Sequence, residues 1–176
     1  NGCTDTGSVV ISDPAPIVVT VDSKTDALCK GDATGTAALS AAGGIGAPYT
    51  YTWPAGANTA TRSDLAAGSY TVTAADANGC TGTVTVAIGE PATVLAASAS
   101  LISDVKCFGG SDGSASVAAS GGSSPYTYLW TNAGTASVNN TLNAGTHTVT
   151  VTDKNGCTAT ASIAVAQPVA GVAVSV

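Results

Sequence analysis

A segment of 77 to 78 residues occurs twice in this 176-residue chain, and the fold must house both copies in the same way. Gly43-Gly44-Ile45-Gly46-Ala47-Pro48-Tyr49-Thr50-Tyr51-Thr52-Trp53 returns as Gly121-Gly122-Ser123-Ser124-Pro125-Tyr126-Thr127-Tyr128-Leu129-Trp130, one residue shorter before the proline. Leu65-Ala66-Ala67-Gly68-Ser69-Tyr70-Thr71-Val72-Thr73 returns as Leu142-Asn143-Ala144-Gly145-Thr146-His147-Thr148-Val149-Thr150. Asp76-Ala77-Asn78-Gly79-Cys80 returns as Asp153-Lys154-Asn155-Gly156-Cys157.

The dipeptides Asp13-Pro14, Glu90-Pro91 and Gln167-Pro168 fall 77 residues apart and mark the unit boundaries. Full repeats are expected at 15–91 and 92–168. Residues 1–14 then read as the last strand of a preceding repeat and 169–176 as the first strand of a following one, so the chain reads as a mature fragment of a longer array. A unit of this size is marginal on apolar burial alone, and something has to supplement its core.

Helical periodicity is absent, and alternation of period two replaces it. In Tyr70-Thr71-Val72-Thr73-Ala74 and Thr83-Val84-Thr85-Val86-Ala87-Ile88, Val and Ile fall on one face and Thr on the other, a pattern the second copy repeats. Threonine suits an extended backbone through its β-branching, while its hydroxyl faces water. Strands are expected at 17–21, 34–41, 49–53, 58–62, 69–75 and 82–88, and again one period later. Short strands separated by glycine-rich turns predict an all-β chain of tandem small Ig-like antiparallel β-sandwich domains. The turn residues Asp76, Asn78, Gly79 and Asp153, Asn155, Gly156 each predict a tight hairpin, because Asn-Gly supplies positive-φ positions and the aspartate caps the turn.

Eleven acidic against five basic residues give a net charge of −6, which argues against nucleic acid as a partner. No apolar run reaches the roughly 18 residues of a membrane-spanning helix, so membrane insertion is not expected. One histidine, few charges, and no nucleophile elbow, phosphate loop or repeated Ser, His and Asp set describe a chain that is not an enzyme.

Trp53 and Trp130 recur in register, each following tyrosines two and four positions upstream, and Tyr51 and Tyr128 share the face of their tryptophan. These four residues are expected in the cores, with their polar ends bonded at the core edge. The alternative is a carbohydrate-binding module in which the rings stack on sugars. His147 replaces Tyr70 at the equivalent site, which is therefore expected to be partly exposed.

Five cysteines and no methionine suit an oxidising, extracytoplasmic compartment. Spacing alone leaves fifteen ways of forming two bridges. Pairing within each repeat uses both copies identically, which predicts Cys29–Cys80 and Cys107–Cys157, with the partner of Cys3 in a preceding repeat. Closing a loop of about 50 residues is worth roughly 4 kcal/mol on the chain-entropy model. Asp22, Asp26, Asp32, Asp104 and Asp112 gather in sequence around the loops of Cys29 and Cys107, and calcium is the one cofactor such loops would take. Asn139-Asn140-Thr141 matches a glycosylation sequon, but its counterpart Arg62-Ser63-Asp64 does not.

The succession Cys29-Lys30-Gly31, Gly43-Gly44, Pro48 to Trp53, Leu65 to Thr73 and Asp76 to Cys80, matched from Cys107-Phe108-Gly109 to Cys157, resembles an SprB-type repeat over nearly the whole chain. The resemblance implies a tandem Ig-like module of very large cell-surface gliding adhesins of Bacteroidota, extracellular and exported by the type IX secretion route. It implies a stalk or filament unit that presents an adhesive element and carries no catalytic residue. Its expected partners are adjacent repeats, other filament subunits and surface glycans. His147 and the Ser-Ser loop before Pro125 depart from the pattern.

Overall fold

The computed structural model describes residues 2–169. The chain divides into two compact units, one of Asn1–Thr25 with Gly35–Ile88 and one of Asp26–Thr34 with Gly89–Val176.

Unit 1 contains β1 (Ala15–Thr25), β2 (Gly35–Gly44), β3 (Thr50–Thr52), β4 (Thr61–Leu65), β5 (Gly68–Ala75) and β6 (Thr81–Ile88). They form two antiparallel sheets in the orders β1-β2-β4 and β3-β5-β6. The Thr/Val alternation sets the faces: Val72 and Ala74 are fully buried on β5, whereas Thr71 is exposed. Ala37, Leu39 and Leu65 from one sheet meet Val72, Val86 and Ile88 from the other around Trp53. Ile17, Val19 and Ala74 extend the interior, with Tyr49 and Tyr51 packed against them. Residues from both sheets fill one interior, which is the sandwich arrangement.

Unit 2 repeats the plan with β7 (Ala96–Ser103), β8 (Gly113–Ser120), β9 (Thr127–Trp130), β10 (Val138–Leu142), β11 (Gly145–Thr152) and β12 (Thr158–Val165). Its sheets run β7-β8-β10 and β9-β11-β12. Leu95, Val117, Trp130, Leu142, Val149, Val151 and Val165 make a single core, and Val105 enters it from the loop after β7.

The repeated Gly-Gly and Pro-Tyr pairs have a shared explanation. Gly43 and Gly121 adopt positive φ, and a side chain there would collide with the backbone of Pro16 or Val94. The chain then reverses through a cis X-Pro bond, at Ala47-Pro48 and Ser124-Pro125. It returns to let Tyr49 Oη donate to Gly43 O at 2.7 Å and Tyr126 Oη to Gly121 O at 2.6 Å. These residues pin one end of each sandwich.

Residues 2–14 are exposed and form no strand, Val9, Val10 and Ile11 among them, because a strand needs a sheet neighbour to pair with. The first strand expected at 169–176 lies outside the described residues apart from Val169, which belongs to no strand. The repeat boundaries at 15–91 and 92–168 also differ from the compact units, since 26–34 and 89–91 group with unit 2.

Candidate functional site: the cysteine loops and hairpins

The hairpin between β5 and β6 is organised by one carboxylate. Asp76 Oδ1 accepts the amides of Asn78 and Cys80, at 3.0 and 2.9 Å, and Oδ2 accepts that of Ile45 at 3.1 Å. Asp153 does the same for Asn155, Cys157 and Ser123, each at 2.9 Å. Gly79 and Gly156 both take φ 86°, the left-handed position that Asn-Gly provides. The amides of Ile45, Cys80 and Asn78 hold the Asp76 carboxyl below the usual carboxylate range. Burial alone would raise Asp153, yet the amides of Ser123, Cys157, Asn155 and Gly156 together keep it low.

The other cysteine of each repeat sits in a loop tied down by backbone bonds. Ala27 N donates to Gly89 O at 2.9 Å, Gly89 N to Asp26 Oδ1 at 2.9 Å, and Gly31 N to Glu90 Oε2 at 2.7 Å. Leu28 N donates to Thr34 Oγ1 at 2.9 Å, and Lys30 Nζ pairs with Glu90 Oε1 at 2.7 Å.

Cys29 is bonded to Cys157, 128 residues away, with their Cα atoms 5.8 Å apart. This corrects both expected pairings, Cys29–Cys80 and Cys107–Cys157. Cys3, Cys80 and Cys107 are free and exposed. The reason is strand length. In unit 2 the Cys107 loop is bonded to Ala166 and Gln167, just past the end of β12, whereas Cys157 stands just before its start. Eight residues of strand at roughly 3.3 Å each put about 26 Å between the two positions, far beyond the ~7 Å Cα separation a bridge tolerates. The loop of Cys29 is bonded to Gly89 and Glu90, past the end of β6, while Cys80 precedes its start. The Cys29–Cys157 bond is buttressed by Asn155, whose Nδ2 donates to Leu28 O at 2.8 Å. A shallow cleft of about 360 Å³ lies beside it, and its one cation, Lys30, is already paired with Glu90.

The aromatic residues serve the cores. Trp53 and Trp130 are 4% and 2% exposed, and their Nε1 groups donate to Thr59 O and Ala136 O, both at 2.9 Å. Tyr51 and Tyr128 are half-buried against the same clusters, and burial, with Asp22 adding to it, pushes the Tyr51 phenol up. The tryptophans therefore offer no open ring face on which a sugar could stack. Arg62 covers Trp53, its Cζ 5.4 Å from the ring centroid.

His147 is buried at 7% exposure, not partly exposed as expected. Tyr70 Oη donates to Ala66 O at 2.8 Å, and His147 Nε2 makes the equivalent bond to Asn143 O at 2.9 Å. A carbonyl only accepts, so this nitrogen carries the proton. The shorter imidazole reaches the same carbonyl and is covered in doing so.

The calcium candidates do not converge. Asp22 accepts from Ser40 Oγ, Asp26 from Gly89 N, Asp104 from Ala166 N and Asp112 from Lys106 N. Asp32 contributes its own amide to Cys29 O. Among the described residues no group of three His, Cys, Asp or Glu side chains is placed to hold a metal ion. Asn139 of the sequon is buried at 6%, with its Nδ2 donating to Asn132 Oδ1 at 2.7 Å.

Fold and site together define a disulfide-bonded tandem β-sandwich whose recurring polar residues fasten turns and loops. The family model described as SprB repeat matches residues 21–58 and 99–135, one stretch in each copy of the sequence repeat. No curated protein matches the chain. Among solved structures it is similar to the C-terminal 282-residue fragment of intimin, in complex with the intimin-binding domain of the translocated intimin receptor. That match has 18% identity and a TM-score of 0.44, and covers 86% of this chain and 64% of that one. The four N-terminal Ig domains of Dscam1 isoform 1.9 match at 14% identity and TM-score 0.34, over 88% of this chain and 42% of that one. The fibronectin(III)-like modules of Clostridium thermocellum CbhA match at 14% identity and TM-score 0.32, over 85% and 95%. The chain thus spans less than two thirds of the first two of these structures.

Proposed function

We propose that this chain is a load-bearing length of an adhesin's surface filament, setting how far an adhesive element stands from the cell, with adjacent repeats as its working partners. The Cys29–Cys157 bond is the observation that carries this reading. Tension that enters before Cys29 and leaves after Cys157 crosses the sulfur bridge and bypasses the backbone between them. The strands β2 to β11 lie wholly inside that bypassed stretch, so pulling the ends can peel only β1 and β12. An internal span of 128 residues holds about 420–460 Å of contour at 3.3–3.6 Å per residue. A filament that must keep its length under shear gains directly from withholding it.

Single-molecule stretching from the two ends tests this. The oxidised chain is expected to release only the flanking residues, and the reduced chain about 420–460 Å more. Equal contour gains in the two states would end the load-bearing reading.

A further inference from the structure

Asn155 stands in the hairpin between β11 and β12, two residues before Cys157, and is followed by Gly156. Asparagine before glycine is the dipeptide most open to deamidation, because glycine has no side chain to hinder its backbone nitrogen from attacking the neighbouring amide. Both groups that this reaction uses are held. The nucleophile, Gly156 N, donates to Asp153 O at 3.1 Å. The leaving group, Asn155 Nδ2, has two hydrogens, and donates to Leu28 O at 2.8 Å and to Ser123 Oγ at 3.1 Å. Asn155 N donates to Asp153 Oδ1 at 2.9 Å, which fixes the main chain on the other side.

The two acceptors of the side-chain amide are held in place by different means. Ser123 is fastened to the hairpin itself: its amide donates to Asp153 Oδ2 at 2.9 Å and its carbonyl accepts from Lys154 N at 2.9 Å. Leu28 O is brought in by the loop of Cys29, whose sulfur is bonded to Cys157. Sulfur bridge and amide thus join the same loop to the same hairpin, and each keeps the partners of the other within reach. The hairpin between β5 and β6 differs in sequence. Asn78-Gly79 has the same aspartate bonds, but Ile45, with no hydroxyl, stands where the second hairpin has Ser123, and Asn78 is exposed.

We propose that Asn155 is a deamidation site latched by the Cys29–Cys157 bond. A dithiol opens the bond: it becomes a disulfide, and Cys29 and Cys157 take up its two electrons and two protons. Leu28 O then leaves Asn155. Gly156 N forms a bond to Asn155 Cγ, its proton departs with Nδ2 as ammonia, and the resulting succinimide takes up one water to become aspartate or isoaspartate. The net exchange is water for ammonia, with no change of oxidation state.

This second step does not reverse. The carboxylate left at position 155 has no hydrogen to give, and it meets Leu28 O as acceptor against acceptor. Reclosing the sulfur bridge must then overcome that repulsion, so one episode of reduction weakens the bond permanently. The latch operates whether or not the chain bears load.

The test uses the full chain, incubated at mildly alkaline pH, with deamidation at each asparagine read by peptide mapping and mass spectrometry. In the oxidised chain Asn78 is expected to deamidate at least about five times faster than Asn155, the factor that one hydrogen bond of ordinary strength supplies. With dithiothreitol, Asn155 should speed up by about that factor while Asn78 keeps its rate. Ser123→Ala leaves the sulfur bridge in place and should speed Asn155 deamidation in the oxidised chain. In Asn155→Asp, the bridge should open at a ratio of reduced to oxidised glutathione about five times lower than in the parent, read on the Cys29–Cys157 peptide pair. Equal rates at Asn78 and Asn155 in the oxidised chain would overturn the proposal, as would an Asn155 rate indifferent to reduction. A rise at both asparagines alike would trace the effect to opening of the whole chain and overturn it too. An unaltered glutathione midpoint in Asn155→Asp would show that the carboxylate leaves the bond as strong as before, and no latch would remain.

Discussion

Cys29 is bonded to Cys157, yet each stands within a different copy of the sequence repeat. Its effect on the unfolded chain is correspondingly large, because the closed loop takes in most of both copies. On the chain-entropy model a loop of this length contributes about 5 kcal/mol, and removing native bridges typically costs about 2–5 kcal/mol.

Cys29→Ser should therefore lower stability by about 2–5 kcal/mol, read from urea unfolding followed by far-ultraviolet circular dichroism. Cys80→Ser and Cys107→Ser, at exposed thiols, should stay within about 0.5 kcal/mol of the parent. Equal effects at all three positions would show that the bond does not form in solution.

The pairing illustrates what could be read in advance. Two copies with cysteines at matching places do fix a symmetric pattern, but two patterns satisfy it. Pairing within each copy is one. Pairing the loop of one copy with the hairpin of the next is the other, and it leaves Cys80 and Cys107 over when only two copies are present. Strand length separates the two: the loop fastens beyond the end of β12 and the hairpin cysteine precedes its start, so eight strand residues intervene. Alternation of period two runs the length of β6 and β12; the bonds to Gly89 and Ala166 that place the loops at the far ends are backbone contacts that no side-chain pattern announces.

Strands, hairpins and tryptophan burial were legible because each depends on local alternation or on one turn dipeptide. The aspartates of the cysteine loops were not, because an aspartate that caps an amide and one that binds a cation look alike until the amide is seen. Asp26 and Asp104 are the clearest pair, each accepting one backbone N–H immediately after β6 or β12.

The equivalence of Tyr70 and His147 makes a rescue experiment. His147→Phe keeps a ring but abandons Asn143 O, and should cost about 1 kcal/mol, rising toward 3 if the carbonyl stays dry. His147→Tyr supplies the hydroxyl that Tyr70 uses toward Ala66 and should fall within about 0.5 kcal/mol of the parent. Urea midpoints for the two variants decide it, and a tyrosine no better than phenylalanine would show that the bond is incidental.

Arg62 makes a sharper distinction between packing and charge. Its side chain is 7% exposed and its partner Asp64 is 62% exposed. Nη1 donates to Ala55 O and Nη2 to Asp64 Oδ2, both at 2.7 Å, while the guanidinium lies over Trp53. Removing it uncovers the indole and frees a carbonyl, so Arg62→Ala should cost about 1–2 kcal/mol and shift Trp53 emission to longer wavelength. Asp64→Ala should do much less, because an exposed ion pair is largely screened by water. Comparable losses from the two substitutions would place the value in the ion pair instead.

Acid should loosen both hairpins together. Amide donors hold the Asp76 and Asp153 carboxyls below the usual range, so each group binds its proton more readily when unfolded than when folded. Stability from these residues is present above the unfolded carboxylate pKa of about 3.9 and is lost as pH falls through the lower folded values. Asp76→Asn and Asp153→Asn remove the titrating group while keeping one acceptor oxygen, so each should flatten the dependence of stability on pH below about 4 and lower stability at neutral pH. The double substitution should flatten it further, as two hairpins built alike would require. Urea unfolding from pH 2 to 7 reads both effects, and an unchanged acid slope in the double variant would mean that other carboxylates govern acid unfolding.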